Sequence, residues 1–378
     1  MKQEIISYIN SIKEDIYNLS TFLYTNPEIN YKEYKACSYI LNMLKANDFK
    51  IEENYCDIPT SFYAQYGTGH PKICYLCKYT STENGGHIFG NNVNASMSIG
   101  AALGLSKVIS KSGGSVIVVG CPGEYTNGSE LTLTKDMCFE DMDVIIAPHC
   151  DINNAESGTS MATIPIKIRC KQSGTGSSNN FSSLDSYLLI LSSISQLLKG
   201  LNNDCSIDNI CITNASTHTN IFSESEVKFY LRASTLTYAR VIEKTIVDLI
   251  HSMSQVVPLS QEISLFELPS QELLSNKSLS RIFTHNLKEC GIIDITCCKD
   301  SLYGLGIGAV SHTTPCIYPS ICITTNPLIS CPSPLFALQT QTDFCKENII
   351  KAAEALAITG LDVIEKQDLL KEIIIEHK

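Results

Sequence analysis

The stretch SVIVVGCPGEYTNGSE, residues 115–130, decides the fold of this chain. Its first half contains a run of β-branched residues at 116–119, which is typical of a buried strand in a parallel sheet. The glycines and proline of GCPG at 120–123 end this strand and deliver Glu124 and Tyr125 to its carboxyl edge. Ligands of open α/β sheets bind at that edge, so Glu124 is a candidate general base or metal ligand. A solvated turn glutamate is the alternative interpretation.

Length and composition set the broad class of the protein. The chain has 378 residues, of which 44% are hydrophobic and 18% charged, so we expect a globular protein of about two domains. The net charge of -11 argues against a nucleic-acid or anionic-membrane surface, because both need clustered Lys and Arg. No apolar run reaches transmembrane length, and the first residues, MKQEIISYIN, lack the apolar core of a signal peptide. We therefore expect a cytoplasmic protein with no membrane or nucleic-acid partner.

The cysteine count is high, at seventeen. Most cysteines stand in apolar runs such as KICYLCK, which favours small core residues in a reducing compartment over a disulfide framework. The CxxC pair of Cys74 and Cys77 lies in a predicted strand, where residues three apart point to opposite faces and cannot chelate one metal. Core packing is therefore predicted for this pair, and a zinc site is the less favoured alternative.

Two further features flank the central strand in sequence. A glycine-rich loop, GGHIFGNN at 85–92, opens onto a predicted helix over about 95–111, but it lacks the spacing of a phosphate-binding loop. Another buried strand is predicted at 143–147, and it ends at Pro148 and His149. His149 is therefore a second polar group at the carboxyl end of a strand, although a histidine there is more often structural than catalytic.

The middle of the chain differs from the rest in its order of predicted helices and strands. Residues from about 159 to 258 follow the order strand, helix, strand, strand, helix, which predicts a compact α+β unit. A strand like those of the first part of the chain is predicted again at 263–267, which indicates that this unit is inserted within a larger domain. We predict an α/β domain over 1–160 and 262–378, interrupted by an inserted domain over 161–261.

These features, taken in order, resemble the aminoacylase and carboxypeptidase superfamily of di-metal amidohydrolases, metallopeptidase family M20. The nearest branch holds the aminobenzoyl-glutamate hydrolases, the auxin-conjugate hydrolases and the β-alanyl-lysine dipeptidase. The resemblance covers nearly the whole chain and rests on Asn26-Pro27-Glu28 (family HPEL), 79–92 (family YDALPxxGHACGHN), 119–125 (family GTPAEE), 141–149 (family DVDAxxxxHP), Asn220, Arg232 and 309–319 (family GNVSxxxPxxHP). It implies a catalytic-type α/β domain with an inserted α+β lid, a homodimer formed through that lid, and a small amino-acid or N-acyl amino-acid ligand.

The functional residues of the family carry over only in part. In this branch the metals, zinc or manganese, are held by the Cys and the last His of ACGH, the second Glu of AEE, the His of HP and a late His. These positions in the present chain are Phe89, Asn91, Tyr125, His149 and, by a looser alignment, Pro332. Glu124 stands at the position of the family's general base. A lid histidine and the Asp of a GSTD block are replaced near Gly174 and Gly306.

These replacements predict a site without a metal cofactor. Zinc needs three or four N, S or O donors, and Phe89 offers none. A thiolate and a carboxylate are both replaced by neutral side chains, which fits a pocket that no longer balances cations.

Two functions remain open at this stage. The first is a pseudoenzyme, a degenerate relative that binds a small amino-acid-like ligand, or a partner protein, without hydrolysing it. Its expected ligand-binding residues are His149, Asn91, Tyr125, Asn220 and Arg232. The alternative is an active amide or peptide hydrolase that uses Glu124 and His149 in an altered site. In both cases we expect Glu124 and His149 to face one crevice, within direct or water-bridged hydrogen-bonding reach.

Overall fold

The central strand lies in the middle of a sheet, as the sequence predicts. In a computed structural model, strand β4 covers Ser115–Cys121, and all seven of its residues are buried. The β-branched run suits this place because its side chains pack on both faces of the sheet. The structure describes residues 1–123, 128–172, 183–201, 204–215, 224–253, 259–298 and 300–377. The predicted site residues Glu124, Tyr125 and Asn220, and also Gly174, lie outside these ranges.

The chain divides into two units. The larger unit comprises Met1–Thr159, Leu273–Asp300 and Ala309–Lys378, and the smaller unit comprises Ser160–Glu272 and Ser301–Gly308. The elements of the chain up to the smaller unit are α1 (Lys2–Ser11), α2 (Lys13–Thr25), α3 (Tyr34–Lys45), β1 (Lys50–Glu53), β2 (Phe62–Gly67), β3 (Lys72–Lys78), α4 (Asn91–Ser106), α5 (Ile109–Ser112), β4, α6 (Ser129–Lys135), β5 (Val144–Ile146) and β6 (His149–Asp151). Those that follow are β7 (Ala162–Gln172), α7 (Ser183–Lys199), β8 (Cys205–Ala215), β9 (Glu224–Ala233), α8 (Leu236–Met253), β10 (Leu259–Leu265), α9 (Lys277–Glu289), α10 (Ile307–Ser311), β11 (Cys316–Ile317), β12 (Ser320–Cys322), α11 (Pro334–Gln339), α12 (Asp343–Glu365) and α13 (Gln367–His377).

The sheet of the larger unit brings several strand ends to one edge. Its strand order is β1-β2-β4-β3-β5-β11. Strand β3 runs parallel to β4 and to β5, with Lys78 in register with Cys121. Strand β6 follows β5 in the chain and pairs in parallel with β12. Because parallel strands end at the same edge, the residues that follow β3, β4 and β5 converge there.

Helix α4 forms the core of the larger unit together with α12. All sixteen residues of α4 are buried, and α12 is buried along most of its length. The small residues of α4 allow close packing, since a Cβ on Gly104 would lie 2.5 Å from Ile9 Cδ1. The apolar residues of α4 do not form one stripe, and its first half also buries asparagine and serine side chains, so the helix is not amphipathic. Within the described ranges, no helix is long and apolar enough to cross a membrane.

The smaller unit is an antiparallel sheet packed against helices. Its strand order is β10-β7-β9-β8, and α7 and α8 contribute fully buried residues such as Tyr187 and Ile246 to its core. The sequence places the return to the larger domain at residue 262, and this boundary is too early. Residues 259–265 form β10, which pairs with β7 of the smaller unit, so the chain returns only at Leu273.

The cysteines follow the prediction only in part. Cys74 and Cys77 are fully buried in β3, as expected for core residues. Among the cysteines that the structure describes, seven are buried, six are half-buried and three are exposed. Core packing is therefore confirmed for the seven buried cysteines, and the three exposed ones depart from it.

Candidate functional site

The candidate site lies at the carboxyl edge of the larger unit's sheet. Gly123, the last described residue after β4, and His149, the first residue of β6, both follow strands that end at this edge. The predicted contact between Glu124 and His149 involves a residue outside the described ranges, so it stays a prediction.

His149 is held by its backbone and by an aromatic neighbour. Its amide donates to the carbonyl of Pro319 at 3.0 Å, and it pairs with Ser320 between β6 and β12. Its half-buried ring stacks on Tyr318, with centroids 5.0 Å apart and planes 18° apart. The imidazole therefore has a fixed plane, and it can donate or accept a hydrogen bond within that plane.

The loop before α4 is fixed against β6. Gly90 has φ of 68°, and a Cβ there would lie 2.1 Å from Cys150 Sγ, so this position requires glycine. The Cys150 thiol donates to the carbonyls of Gly90 and Phe89, at 3.3 and 3.5 Å. Phe89 thus contributes its backbone oxygen to the contact, while its side chain carries no donor atom for a metal.

Asn91, at one of the family's metal-ligand positions, is buried and hydrogen bonded at both ends of its amide. Its Nδ2 donates to the carbonyl of Thr80 at 2.9 Å, and its Oδ1 accepts from Asn94 Nδ2 at 3.0 Å. Asn94 Oδ1 in turn accepts from the backbone amide of Cys150 at 2.8 Å. These neutral groups bridge β3, α4 and β6.

The hydrogen bonds that join Cys150, Asn94, Asn91 and Thr80 continue to the end of β4 through the buried carboxylate of Glu33. Glu33 is fully buried and accepts from the Thr60 hydroxyl at 2.8 Å, from the Gly123 amide at 3.1 Å and from the Thr80 hydroxyl. The Gly123 amide also reaches Thr80 Oγ1 at 2.8 Å. Three donors replace the water that a buried carboxylate would otherwise need. We call the chain of contacts formed by Cys150, Asn94, Asn91, Thr80, Glu33 and Gly123 the edge network.

An ion pair lies at the same edge. Lys78, the last residue of β3, places Nζ 3.0 Å from Glu130 Oε1 in the first turn of α6, and the two side chains are 12% and 1% exposed. Burial, and then the carboxylates of Glu130 and Glu33, raise the pKa of nearby Tyr31 to about 12. The Tyr31 phenol is therefore a neutral group at physiological pH, beside a buried cation and two buried carboxylates.

Sequence reasoning missed Glu33, Lys78 and Glu130. Their local patterns resemble those of exposed residues at element ends, and only their distant partners make them buried. The block YDALP of the family, which reads Tyr79 and Thr80 at its start here, offered a signal for Thr80. Pro332, the loosely aligned position, is exposed and follows a cis peptide bond from Cys331. Its side chain has no atom that ligates metal.

Arg232 lies in the smaller unit, where it contacts other residues of that unit. Its Nε donates to Asp208 Oδ2 at 2.6 Å, and its Nη1 donates to Thr163 Oγ1 at 3.0 Å. Its guanidinium also lies 5.3 Å from the centre of the Tyr303 ring. Arg232 is only 5% exposed, so a ligand carboxylate would have to compete with Asp208. Gly306 is buried in the same unit.

The described part of the chain lacks a cluster of metal-binding side chains. In that part, no three His, Cys, Asp or Glu side chains are arranged so that they could hold a metal ion. Of the described family positions, Phe89, Asn91, His149 and Pro332, His149 alone carries an imidazole, thiol or carboxylate.

Comparisons with known proteins find relatives in sequence and in structure. No family model matches the chain. The chain is 25% identical to the Xaa-Arg dipeptidase of Mus musculus over 403 residues, covering 100% of this chain and 92% of the relative. It is also 25% identical to one subunit of the p-aminobenzoyl-glutamate hydrolase of Escherichia coli strain K12, over 39% of this chain and 35% of that protein.

A solved structure supports the same assignment at the level of the fold. A dinuclear metal-binding peptidase of family M20 from Bacillus subtilis matches with a TM-score of 0.71 at 13% identity, over 94% of this chain and 99% of that one. The larger unit with its sheet and the inserted smaller unit thus have solved counterparts. The chain is therefore similar in sequence to a dipeptidase and to a p-aminobenzoyl-glutamate hydrolase subunit, and similar in fold to a peptidase of family M20.

Proposed function

We propose that this chain is a metal-free, catalytically degenerate member of its family that binds a small amino-acid-like ligand without hydrolysing it. The observation that carries the proposal is the hydrogen bonding of Asn91. Both ends of its amide are engaged, by Thr80 and by Asn94, inside the edge network. Turning this amide towards a metal would leave a buried donor or acceptor unsatisfied, at a cost of about 1–3 kcal/mol for each group.

The other described positions also do not fit a metal pair. Phe89 offers no donor atom, and His149 by itself is one ligand where zinc needs three or four. Tyr125, which lies outside the described ranges, carries a phenol where the family resemblance implies a carboxylate. The loss of negative donors at these positions is consistent with the absence of cations to balance them.

Without a metal, the chemistry of amide hydrolysis becomes weak. A bound metal would lower the pKa of a water molecule from its ordinary value to near neutrality. Glu124 facing ordinary water is a poor base towards an amide, because it must generate the nucleophile unaided. Binding is therefore the function that these residues support best.

The ligand class follows from the family and from the polar groups at the edge. His149, with its ring fixed on Tyr318, offers a hydrogen bond to a small polar molecule. We infer an amino acid, N-acyl amino acid or dipeptide. Tyr125, Asn91, Asn220 and Arg232 are the further predicted contacts, and of these Asn91 and Arg232 would have to exchange the hydrogen bonds that they make to Thr80, Asn94 and Asp208.

The second candidate is an active hydrolase of amide or peptide bonds. It is favoured by the full-length similarity to a dipeptidase and by Glu124 at the position of the general base. In that case Glu124 and His149 would act in an altered site.

One experiment separates the two functions. Purified full-length protein is analysed for bound metal by mass spectrometry, then assayed with N-acyl amino acids and dipeptides with and without Zn²⁺, Mn²⁺ or Co²⁺. The proposal expects binding by calorimetry for at least one compound, no stoichiometric metal and no turnover. Tightly held metal that survives mild chelation, or turnover that Glu124→Gln abolishes, would overturn it.

A restored variant gives the matched control. Phe89→Cys, Asn91→His and Tyr125→Glu together return the family's donors to three positions. When folded like the wild type, this triple variant should bind zinc where the wild type does not. Zinc bound equally by both proteins would show that these positions do not decide metal binding.

Location is part of the same proposal. We infer that the protein acts in the cytoplasm, where thiols stay reduced. The support is that seven of the described cysteines are buried in the protein core as free thiols.

A further inference from the structure

Two half-buried cysteines of the larger unit lie in contact across a long stretch of chain. The Sγ atoms of Cys56 and Cys138 are 2.6 Å apart, although the residues are 82 positions apart in sequence. A disulfide bond is about 2.05 Å long, so the two sulfur atoms need to move only about half an ångström closer. Both side chains are partly open to solvent, so a small reagent can reach them.

The backbone around each thiol is fixed by hydrogen bonds. Cys56 has φ of 55° in a turn between β1 and β2, where the Asp57 amide donates to the Asn54 carbonyl at 2.9 Å. Cys138 follows α6, and its amide donates to the Leu133 carbonyl at 3.0 Å. The contact is therefore set by two closed turns.

We propose that Cys56 and Cys138 form a reversible disulfide that fastens the end of α6 to the turn between β1 and β2. The oxidant is a small-molecule disulfide of the glutathione class. The thiolate of Cys138 attacks it, forming a mixed disulfide and releasing one reduced thiol. Cys56 then loses its proton and attacks the Cys138 sulfur, releasing the second thiol. Two protein thiols thus give up two electrons and two protons, and the oxidant becomes two thiols.

The order of attack follows from the environment of Cys56. Burial, and then the contact with Cys138, raises the pKa of Cys56 to about 12, so this thiol is protonated at neutral pH. Cys138 is therefore the first nucleophile, and Cys56 resolves the mixed disulfide. Disulfide formation takes seconds to hours, so the test allows hours for equilibration.

The disulfide would fix helix α6 at both ends. The first turn of α6 is held by the ion pair between Glu130 and Lys78, and Cys138 lies just beyond its last residue, Lys135. In sequence, Glu124 lies between β4 and this helix. The oxidised protein should therefore hold α6 more firmly, whichever function the site has.

The test uses full-length protein in glutathione redox buffers. After hours of equilibration and trapping of free thiols, non-reducing proteolysis and mass spectrometry should find the Cys56 and Cys138 peptides linked, two hydrogen atoms lighter than their sum. Dithiothreitol should reverse the link. Cys56→Ser and Cys138→Ser should each abolish it, and Cys297→Ser, which changes an exposed cysteine, should leave it unchanged.

A second measurement covers variants that fail to fold. Hydrogen exchange in the wild type should slow at least tenfold for the amides of α6 after oxidation. The proposal is overturned if both thiols remain free or carry only glutathione in the most oxidising buffer. It is also overturned if either cysteine links mainly to another cysteine, or if exchange in α6 is unchanged by a fully formed link.

Discussion

Removing Lys78 should destabilise the larger unit far more than removing an exposed lysine. Lys78→Met would leave Glu130, whose side chain is 1% exposed, without the cation that lies 3.0 Å away. Breaking a buried pair in this way costs roughly 3–5 kcal/mol, because the remaining charge loses this cation without regaining water. Lys45→Met is the matched control, since Lys45 and Glu53 form a pair at 2.7 Å whose side chains are 52% and 54% exposed. That pair should contribute less than about 1 kcal/mol.

The assay must report on the larger unit, because two units need not unfold together. The chain has no tryptophan, so we would follow urea unfolding by circular dichroism and local opening by hydrogen exchange in β3 and α6. A loss of about 3 kcal/mol should speed exchange there by about two orders of magnitude. The double variant Lys78→Met with Glu130→Leu should recover most of the loss, since no charge is then buried. Equal losses for Lys78→Met and Lys45→Met, or no recovery in the double variant, would refute this reasoning.

Three further predictions follow from other contacts. Asn94→Ala removes the hydrogen bonds that Asn94 makes to the Cys150 amide and to Asn91 Oδ1, so the free energy of unfolding should fall by about 2–4 kcal/mol. A loss below about 1 kcal/mol in urea unfolding would contradict a stabilising role for the edge network. Burial alone would raise the pKa of Asp362, but hydrogen bonds from Lys366, Lys2 and Asn286 outweigh burial and hold that pKa below its ordinary value. The stability gained is present above about pH 4 and is lost as pH falls towards the folded-state pKa. Asp362→Asn should therefore be less stable than the wild type at about pH 7 and should lose less stability between about pH 5 and 3, and parallel acid-unfolding profiles for the two proteins would contradict this. The predicted homodimer through the smaller unit can form on β8, a strand at the edge of its described sheet that exposes Ile212. Light scattering should find a dimer for the wild type and a monomer for Ile212→Lys, and a monomeric wild type would refute the predicted homodimer.

The periodic part of the fold could be predicted from sequence, and the reason is local. A run such as 116–119 has few ways to bury its side chains other than a central strand. Helix α4 was harder, because the sequence predicts its start near residue 95 and it begins at Asn91. Asparagines favour turns over helix interiors, and here the bond from Asn91 to Thr80 overrides that preference.

The boundary of the inserted unit could not be predicted for a similar reason. The sequence of β10, LSQEISL, has the alternation of a half-buried strand, which would suit either sheet. What decides its place is the register with β7, where Ile263 pairs with Ile168. A partner strand about a hundred positions earlier leaves no trace in the local pattern.

The buried charges at the candidate site could not be predicted from the sequence either, and they bear on the function of the site. Glu33 and Glu130 are nearly fully buried, and sequence alone marks neither of them as buried. Each is compensated within the larger unit: Glu33 by two hydroxyls and a backbone amide, and Glu130 by Lys78. Here the described carboxylates are balanced by protein groups, so the edge needs no ion for its own stability, and this supports the proposed metal-free site.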